Sequence, residues 1–412
     1  MKNNYLLCLF AVIILSAGCV SSGAVTPFYR YATSKKVLNE PPYLQVLLSA
    51  SNNIDFAMIK INSGYGIYPY AQDRHNRFIV SQQLSRQESI PGPIRIFYNG
   101  DKINIGSKVN ISNDDIVIVP SNSNSLIQVG QRNYHGYLRI KGLPSKKISL
   151  VNIIDLESYL PGVVSSEMDE SWPENSLDAQ AITARSFALF RIKQFGTYSQ
   201  KAFDYDLTDD IYSQVYRGEE RTGPKTRQAV EKTRGIIISY NSLIFNTLFS
   251  DTCGGSTEPG DLVFGLTPLP PLQGRKCGFC YNSKHFQWNT EFTNDEIIKA
   301  LNLKGVTKIK DIEITRTAPG GHAVEVALKM EGRNSPIIFQ AQKFRIALNP
   351  NKLKSTMFKI IKKNGYFEFI GHGWGHAVGM CQEGTRGMSE QNFTPLQILE
   401  YYYQESKIVK IY

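Results

Sequence analysis

The sequence shows no enrichment in glycine, proline or charged residues, and this excludes several classes of protein. It contains 32 glycines and 19 prolines among 412 residues, and charged residues make up only 20%. These fractions exclude collagen-like, coiled-coil and mostly disordered chains. No period of 20 to 50 residues repeats, which argues against a solenoid. The composition therefore indicates a globular protein whose length suits two or three domains, or one heavily elaborated domain.

Long apolar runs are also scarce, and the exception lies at the N-terminus. Lys2 precedes an apolar run over residues 5–15, which is shorter than the roughly 20 residues that span a bilayer. The run predicts an export signal over residues 1–24. Ser16-Ala17-Gly18-Cys19 resembles a lipoprotein signal with Cys19 as the lipidated residue, and ordinary cleavage after Ala24 is the alternative. We therefore expect an exported, extracytoplasmic protein whose only membrane attachment is a lipid at Cys19.

The charge balance is basic. Lys and Arg number 46 against 36 Asp and Glu, which gives a net charge of +10 and favours polyanionic partners such as DNA, anionic lipid or acidic wall polymers. The densest basic cluster is small and interrupted: Lys352, Lys354, Lys359, Lys362 and Lys363. Such a cluster is more typical of solvated surface than of a nucleic-acid site, so we expect no nucleic-acid partner.

The chain order of the patterns predicts an α+β fold. Short β-type runs separated by Asn, Gly, Ser and Pro clusters fill a β-rich N-terminal region, residues 25–145. Residues 146–412 then read as a mixed helix-and-sheet core with an inserted α/β segment at about 290–365. Ile236–Tyr240 and the apolar run after it flank Asn241 and Ser242 in the manner of a hairpin.

One carboxylate occupies a special position between two predicted helices. Asp155 is suited to cap a short helix, and a longer helix with a small-residue face begins after Pro173 and ends near Phe195. Glu167 falls in the joint between them. Burial there would raise the pKa of its carboxyl, so that Glu167 could act as a general acid. The alternative is a structural role, in which Glu167 caps the next helix or pairs with Arg185.

A glycine-rich segment, residues 371–384, carries further polar candidates. His372, His376 and Gln382 supply donors and acceptors between closely spaced glycines. The pattern fits neither a P-loop nor a dinucleotide fingerprint. It suits a sugar-binding surface, and a tight turn with satisfied histidines is the alternative.

Cysteines suggest a structural metal site. With Cys8 and Cys19 assigned to the N-terminal signal, four remain: Cys253, Cys277, Cys280 and Cys381. Cys277 and Cys280 form a Cys-x-x-Cys knuckle, which together with Cys253 and His285 could bind zinc. His372, His376 or Cys381 could replace His285 as fourth ligand. In an exported protein a disulfide involving Cys253 is the alternative.

At these residues the sequence resembles the stage II sporulation protein D (SpoIID) family, which includes amidase enhancers. The resemblance covers most of residues 140–412, in five segments: 159–189, 213–218, 226–235, 252–257 and 371–388. It implies an exported lytic transglycosylase that cleaves peptidoglycan glycan strands lacking stem peptides, in cell-wall remodelling during division or sporulation-like processes. No catalytic cofactor is implied.

The resemblance also implies roles for individual residues. Glu167 becomes the catalytic acid, and Arg185 could bind the lactyl carboxylate of muramic acid. The implied substrate-binding set is Arg185, Ser213, Gln214, Tyr216, His372, His376 and Gln382. The chain departs from the family pattern at Ala377, Cys381 and Glu383. A second carboxylate, Asp251 or Asp261, would permit hydrolysis instead. The rival function is a non-catalytic glycan-binding activator of an N-acetylmuramoyl-L-alanine amidase.

Overall fold

The computed structural model describes residues 38, 40–72, 80, 83–87, 90–107, 109–198 and 204–412. The predicted export signal, including Cys19, lies outside these residues. The described chain divides into two compact units. The N-terminal unit comprises the described residues up to 247 together with 407–412, and the C-terminal unit comprises 248–406. Within the described ranges, no helix is both long and apolar enough to cross a bilayer.

The predicted α+β class is confirmed, with strands dominating the described residues up to 155. Up to residue 247 the elements follow in this order: β1 (Tyr43–Leu47), β2 (Ala57–Ile61), β3 (Tyr65–Pro69), β4 (Ser85–Gln87), β5 (Ile90–Tyr98), β6 (Ile103–Ile105), β7 (Val109–Ile111), β8 (Asp115–Pro120), β9 (Ile127–Val129), β10 (Arg132–Tyr134), β11 (Tyr137–Gly142), β12 (Ile148–Asp155), α1 (Leu156–Glu167), α2 (Glu174–Tyr198), β13 (Leu207–Thr208), α3 (Pro224–Lys232), β14 (Ile236–Tyr240) and β15 (Leu243–Ile244).

The rest of the chain contains short strands and short helices. They are β16 (Phe249–Ser250), α4 (Gly260–Phe264), β17 (Gln287–Thr293), α5 (Asn294–Ala300), β18 (Ile309–Thr317), β19 (Ala323–Met330), β20 (Ile337–Gln340), α6 (Ala341–Leu348), β21 (Met357–Lys362), β22 (Tyr366–His372), β23 (Met380–Cys381), α7 (Gln382–Glu390), α8 (Pro395–Tyr402) and β24 (Lys407–Lys410).

Three sheets build the N-terminal unit. A seven-stranded sheet has the order β13-β1-β12-β11-β8-β3-β4, and a six-stranded sheet has the order β10-β9-β2-β5-β6-β7. In the third, β14 lies between β15 and β24. Strand β12 is buried at every residue except the last, so both of its faces are covered, and it leads directly into α1. The predicted hairpin is confirmed: β14 and β15 pair antiparallel, and Asn241 and Ser242 between them both have positive φ, as a type I′ turn requires.

The C-terminal unit contains two three-stranded antiparallel sheets, β17-β22-β21 and β18-β19-β20, and one parallel pair, β16-β23. Apolar side chains from the three-stranded sheets and from α5 and α6 form a common core, with Phe344, Phe367 and Phe369 among its most buried members. Thr293 caps α5 and Thr394 caps α8, each through a capping box. This core is shared by residues of the segment at about 290–365 and by residues that flank it, such as Trp288, Phe367 and Phe369.

Candidate functional site

Glu167 is the last residue of α1, at the joint expected from the sequence. The Asp155 side chain caps the start of this helix by accepting a hydrogen bond from the Ser158 backbone N–H at 3.1 Å. At the other end, the Val215 backbone N–H donates to Oε1 of Glu167 at 2.9 Å. Glu167 is half-buried. Its carboxyl is therefore held in one orientation and retains access to solvent.

The segment that presents Val215 is fixed by its two neighbours. Gln214 and Tyr216 are each only 1% exposed. The Gln214 amide donates to the Ala184 carbonyl at 3.3 Å and accepts from the Tyr159 hydroxyl at 3.4 Å. The Tyr216 hydroxyl donates to the Asn152 side chain on β12 at 3.0 Å. Both side chains are buried and hydrogen-bonded within the protein, so this arrangement gives no support to the prediction that Gln214 and Tyr216 bind substrate.

Ser213 lies at the start of the segment 213–218 that contains Val215. Its hydroxyl accepts a hydrogen bond from the Thr208 backbone N–H at 3.1 Å, and its own N–H donates to the Asp210 carbonyl at 3.1 Å. Ser213 is half-buried. Its contacts fix the turn before Val215, and a role in substrate binding stays a prediction.

Gly162 permits α1 to approach this segment closely. A Cβ at this position would lie 2.5 Å from the Gly218 carbonyl oxygen and 2.7 Å from the Tyr216 ring. The rings of Tyr159 and Tyr216 pack with centroids 4.7 Å apart. Burial, followed by the charge of Glu167, raises the pKa of Tyr159 well above its usual range, so its hydroxyl stays protonated. The packing of α1 against the segment around Tyr216 is therefore tight, and the Tyr159 hydroxyl adds no charge to it.

Arg185 has a structural environment. It is fully buried, and its Nε and Nη2 donate to the two carboxylate oxygens of Glu157, each at 2.8 Å. The remaining donors reach the Thr233 hydroxyl at 3.3 Å and the carbonyls of Ile236 and Val230, each at 3.1 Å. Because all five N–H groups donate to protein acceptors, this arrangement favours the alternative, a structural role, over the predicted binding of a muramic carboxylate. Arg185 instead ties α2 to α1, α3 and β14.

Four buried cysteines converge in the C-terminal unit. The ligand atoms of Cys253, Cys277, Cys280 and Cys381 all lie within 4.8 Å of one another, and the four thiols are free. The Sγ atoms of Cys253 and Cys280 are 3.6 Å apart, close to the roughly 3.8 Å between sulfurs of a tetrahedral site with Zn–S bonds of about 2.3 Å. The predicted convergence of Cys253, Cys277 and Cys280 is confirmed.

The surroundings of the cluster also suit thiolate ligands. The backbone N–H groups of Cys253 and Gly384 donate to the Cys381 sulfur at 3.2 and 3.3 Å. Hydrogen bonds from Cys253 and the other thiols lower the pKa of Cys277, which favours a thiolate in the group. Four closely spaced sulfurs with N–H donors around them fit a structural zinc ion. Zinc at this cluster would tie the Cys253 loop, the Cys277 knuckle and the start of α7 together.

The structure brings Cys381, one of the alternatives to His285 as fourth ligand, into the cluster, and His285 is not part of it. Cys381 is the fourth member of the cluster because the parallel pair β16-β23 brings it beside the chain that leads to Cys253. The His285 ring instead packs edge-on against Trp374, with centroids 4.3 Å apart. Its Nδ1 lies 3.2 Å from Nζ of Lys354.

The glycine-rich segment is packed against the protein. A Cβ at Gly379 would lie 1.9 Å from the Leu248 carbonyl oxygen, so these glycines permit a close approach to a neighbouring strand. Gln382 is 3% exposed, which removes it from the surface predicted to bind sugar. His376 Nδ1 accepts from the Val378 N–H at 3.0 Å, and burial lowers the pKa of His376 to about 3. The imidazole is therefore neutral at physiological pH.

His372 has a different environment from His376. It is half-buried at the end of β22, and its ring packs edge-on against Phe286 with centroids 5.5 Å apart. The alternative interpretation of the segment, a tight turn with satisfied histidines, agrees best with His376. Binding of substrate by His372 or His376 stays a prediction.

Sequence reasoning missed two features of these sites. The Val215 amide was not recognised as the partner of Glu167, although it lies within the segment 213–218 that carries the resemblance. Lys354 was assigned to ordinary surface, although it is half-buried and contacts His285. No local pattern distinguishes Lys354 from the other lysines of its cluster.

Comparison with known proteins gives two family matches. A model described as stage II sporulation protein, SpoIID, matches residues 144–240, which include Glu167, Arg185 and Val215. A domain of unknown function, DUF8618, matches residues 275–379. The second match contains His285, Lys354 and most of the glycine-rich segment.

Three similar proteins extend beyond these domains. An uncharacterized protein of Brachyspira hyodysenteriae is 33% identical over 262 residues, covering 63% of this chain and 68% of that protein. Stage II sporulation protein D of Bacillus subtilis is 28% identical over 271 residues, covering 63% of this chain and 75% of that protein. The amidase enhancer of Bacillus subtilis is 24% identical over 289 residues, covering 59% of this chain but only 39% of that protein.

Proposed function

Since the chain belongs to the stage II sporulation protein D family and has a cell-wall-related role, we propose that it is a lytic transglycosylase of peptidoglycan. The substrate is a glycan strand from which the stem peptides have been removed, and Glu167 is the general acid and base. The observation that carries this proposal is the hydrogen bond from Val215 N–H to Glu167 Oε1 at the end of α1.

That hydrogen bond orients the Glu167 carboxyl, because Oε1 accepts the Val215 N–H. In its acid form Glu167 donates its proton to the glycosidic oxygen between muramic acid and glucosamine as the bond to C1 breaks. The resulting carboxylate accepts the proton of the muramic C6 hydroxyl while its oxygen bonds to C1. The products are a free glucosamine hydroxyl and a 1,6-anhydro-muramic end.

The charge of the chain supports the choice of substrate. Removal of the stem peptide exposes one carboxylate on each muramic acid, so a stripped strand is a polyanion. The net charge of +10 favours association with such a polymer. A strand that keeps its peptides is also an anion, but its carboxylates are on the peptides, because its lactyl carbonyl is part of an amide.

Product analysis tests the proposal directly. The purified protein is incubated with peptide-free strands and, separately, with peptide-bearing strands, and the products are identified by mass. Anhydro ends from the peptide-free strands alone are expected. Reducing ends that have gained water would make the enzyme a hydrolase, and the absence of cleavage of both strands would refute an enzymatic function.

A second candidate function is stimulation of a cell-wall amidase without catalysis by this chain. The amidase enhancer of Bacillus subtilis favours it, although the chain spans only 39% of that protein. In this case Glu167 is structural, and an amidase would release stem peptides faster in the presence of the protein. The assay is peptide release by a purified N-acetylmuramoyl-L-alanine amidase with and without the protein, using Glu167→Gln as a comparison. Equal stimulation by both proteins, without strand cleavage, supports the second function.

Both functions require contact with the wall, and we propose export with a lipid anchor at Cys19. A strain producing Cys19→Ser with a C-terminal tag tests this. The wild-type protein should fractionate with membranes outside the cytoplasm, and the variant should not be lipidated. Equal membrane association of both would contradict an anchor at Cys19.

A further inference from the structure

His285, Trp374 and Lys354 form a group with no assigned role. Lys354 Nζ donates to His285 Nδ1 at 3.2 Å and lies 5.7 Å from the centre of the Trp374 ring. The His285 ring contacts Trp374 edge-on with centroids 4.3 Å apart. All three side chains are half-buried, so each retains a solvent-facing part. The group thus combines an aromatic surface with a fixed ammonium.

Positive charge at this group is not neutralised by a close carboxylate. Among the residues that the structure describes, neither Lys354 nor the nearby Lys284 has an ion-pair partner within 4.0 Å. Burial, followed by the charges of Lys354 and Lys284, lowers the pKa of His285 to about 4. His285 is therefore a neutral acceptor for Lys354 and does not compete for anions.

Asp251 forms no ion pair with Lys284 or Lys354 within 4.0 Å among the residues that the structure describes. Its Oδ1 accepts the Thr252 hydroxyl at 2.5 Å. Neither lysine ammonium is therefore in direct contact with this carboxylate.

The backbone around the group is rigid. Trp374 exchanges two backbone hydrogen bonds with Thr252, at 2.7 and 3.0 Å. The Lys354 carbonyl accepts from the Gly375 N–H at 2.9 Å and from Nε of Arg345 at 2.8 Å. These bonds hold the backbone that carries Trp374 and Lys354 before a ligand arrives, which reduces the entropy that binding loses.

We propose that Trp374, His285, Lys354 and Lys284 form a binding site for a carboxylated pyranose. The apolar face of the sugar would rest on Trp374, and the carboxylate would bind the lysine ammonium groups. The assignment of the sugar to muramic acid with a free lactyl carboxylate rests on the proposed function. An amide at that carboxyl cannot pair with an ammonium, so this site would select strands without stem peptides.

All four residues of the site lie within residues 275–379, and this proposal gives the domain of unknown function a ligand class. It also explains how the chain could select peptide-free strands although Arg185 is buried. The selection is a property of binding and does not require that Glu167 be catalytic.

Binding of two matched ligands tests the site. One is a peptide-free oligosaccharide of alternating glucosamine and muramic acid with free carboxyls, and the other is the same oligosaccharide with its carboxyls converted to methylamides. Calorimetry is done on full-length protein carrying Glu167→Gln, so that strands are not cut. We expect about tenfold tighter binding of the free acid, with a preference that declines at high salt.

Lys354→Met should bind both ligands equally, at the affinity of the methylamide. Lys354→Arg should restore part of the preference, because it keeps the charge. The matched control is Lys359→Met, which removes an exposed lysine from β21 and should keep the full preference. Trp374→Ala should weaken binding of both ligands, and a melting curve of each variant confirms folding.

The proposal is overturned if Lys354→Met still prefers the free acid to the methylamide as strongly as the unsubstituted site does. It is also overturned if the unsubstituted site binds the two ligands equally. If Lys354→Met does not fold, Lys354→Gln takes its place. The preference for the free acid is then compared between the Glu167→Gln protein with and without Lys354→Gln. The result is independent of the proposed function: a carboxylate preference without strand cleavage by wild-type protein would retain this site and refute the transglycosylase.

Discussion

The Val215 backbone N–H donates a hydrogen bond to Oε1 of Glu167 at 2.9 Å and so connects the end of α1 to a segment 48 residues further along the chain. The segment is held by the buried side chains on either side of Val215. Gln214 bonds to α2 and Tyr216 to β12. The orientation of the candidate acid therefore depends on the packing of three separate elements.

Gly162→Ala should disturb this packing. The added methyl group would meet the Gly218 carbonyl and the Tyr216 ring, both closer than 3.0 Å, at a cost of about 1–3 kcal/mol in the free energy of unfolding. Strand cleavage should fall as well, because Tyr216 and Val215 must shift. Gly92→Ala is the control, since a Cβ there meets nothing within 4 Å. Equal stability of the two variants would contradict the close approach of α1.

Arg185→Gln tests whether this arginine is structural. The substitution leaves the Glu157 carboxylate buried without its cation, and we expect a loss of about 3–5 kcal/mol in chemical denaturation. Arg234→Gln, which removes an exposed pair with Glu231 at 3.9 Å, should cost less than about 1 kcal/mol. A stable Arg185→Gln protein whose only defect is a raised KM would restore the role in substrate binding.

The zinc content of two variants tests whether Cys381 or His285 is the fourth ligand of the cysteine cluster. Protein purified without chelator should contain about one zinc per chain by elemental analysis. Cys381→Ser should lose most of this zinc and unfold at a lower temperature, whereas His285→Ala should retain it. Loss of zinc in His285→Ala alone would reverse this assignment. A metal-free wild-type protein with fewer titratable thiols than its cysteines would indicate a disulfide.

His376 should make stability depend on pH. Its pKa is about 3 in the folded protein and about 6.5 when unfolded. Between these values the unfolded chain binds a proton that the folded protein does not, so stability is lost as pH falls from about 6.5 toward 3. The loss reaches about 2 kcal/mol at pH 5. The free energy of unfolding is measured for wild-type protein and His376→Gln at pH 8 and at pH 5. Between these two pH values the wild-type protein should lose about 2 kcal/mol more than the variant does. An unchanged difference would contradict a His376 imidazole that stays neutral in the folded protein.

Short-range sequence patterns predicted the helix that carries the candidate acid. Asp155 caps α1 as expected, and Glu167 lies at the end of this helix, because capping and amphipathic spacing act over a few residues. The convergence of Cys253 with Cys277 and Cys280 could also be expected, since a Cys-x-x-Cys turn places two thiols together.

Long-range partners could not be predicted from these patterns. Arg185 could have paired with any carboxylate, and only the packing of α1 against α2 selects Glu157. Cys381 enters the thiol cluster through the pairing of β16 with β23, more than 100 residues apart in sequence. Burial of Gln214 and Tyr216 likewise depends on elements that the segment itself does not specify.

The most direct test of the catalytic role is strand cleavage by Glu167→Gln. This variant keeps the shape of the side chain and an oxygen that can accept the Val215 N–H, and it removes the proton donor. Glu174→Gln, at an exposed position in the first turn of α2, is the matched control. We expect cleavage of peptide-free strands to fall by at least about 100-fold in Glu167→Gln, with strand binding and melting temperature unchanged, while Glu174→Gln cleaves as the wild type does. Cleavage by Glu167→Gln at the wild-type rate would contradict the account.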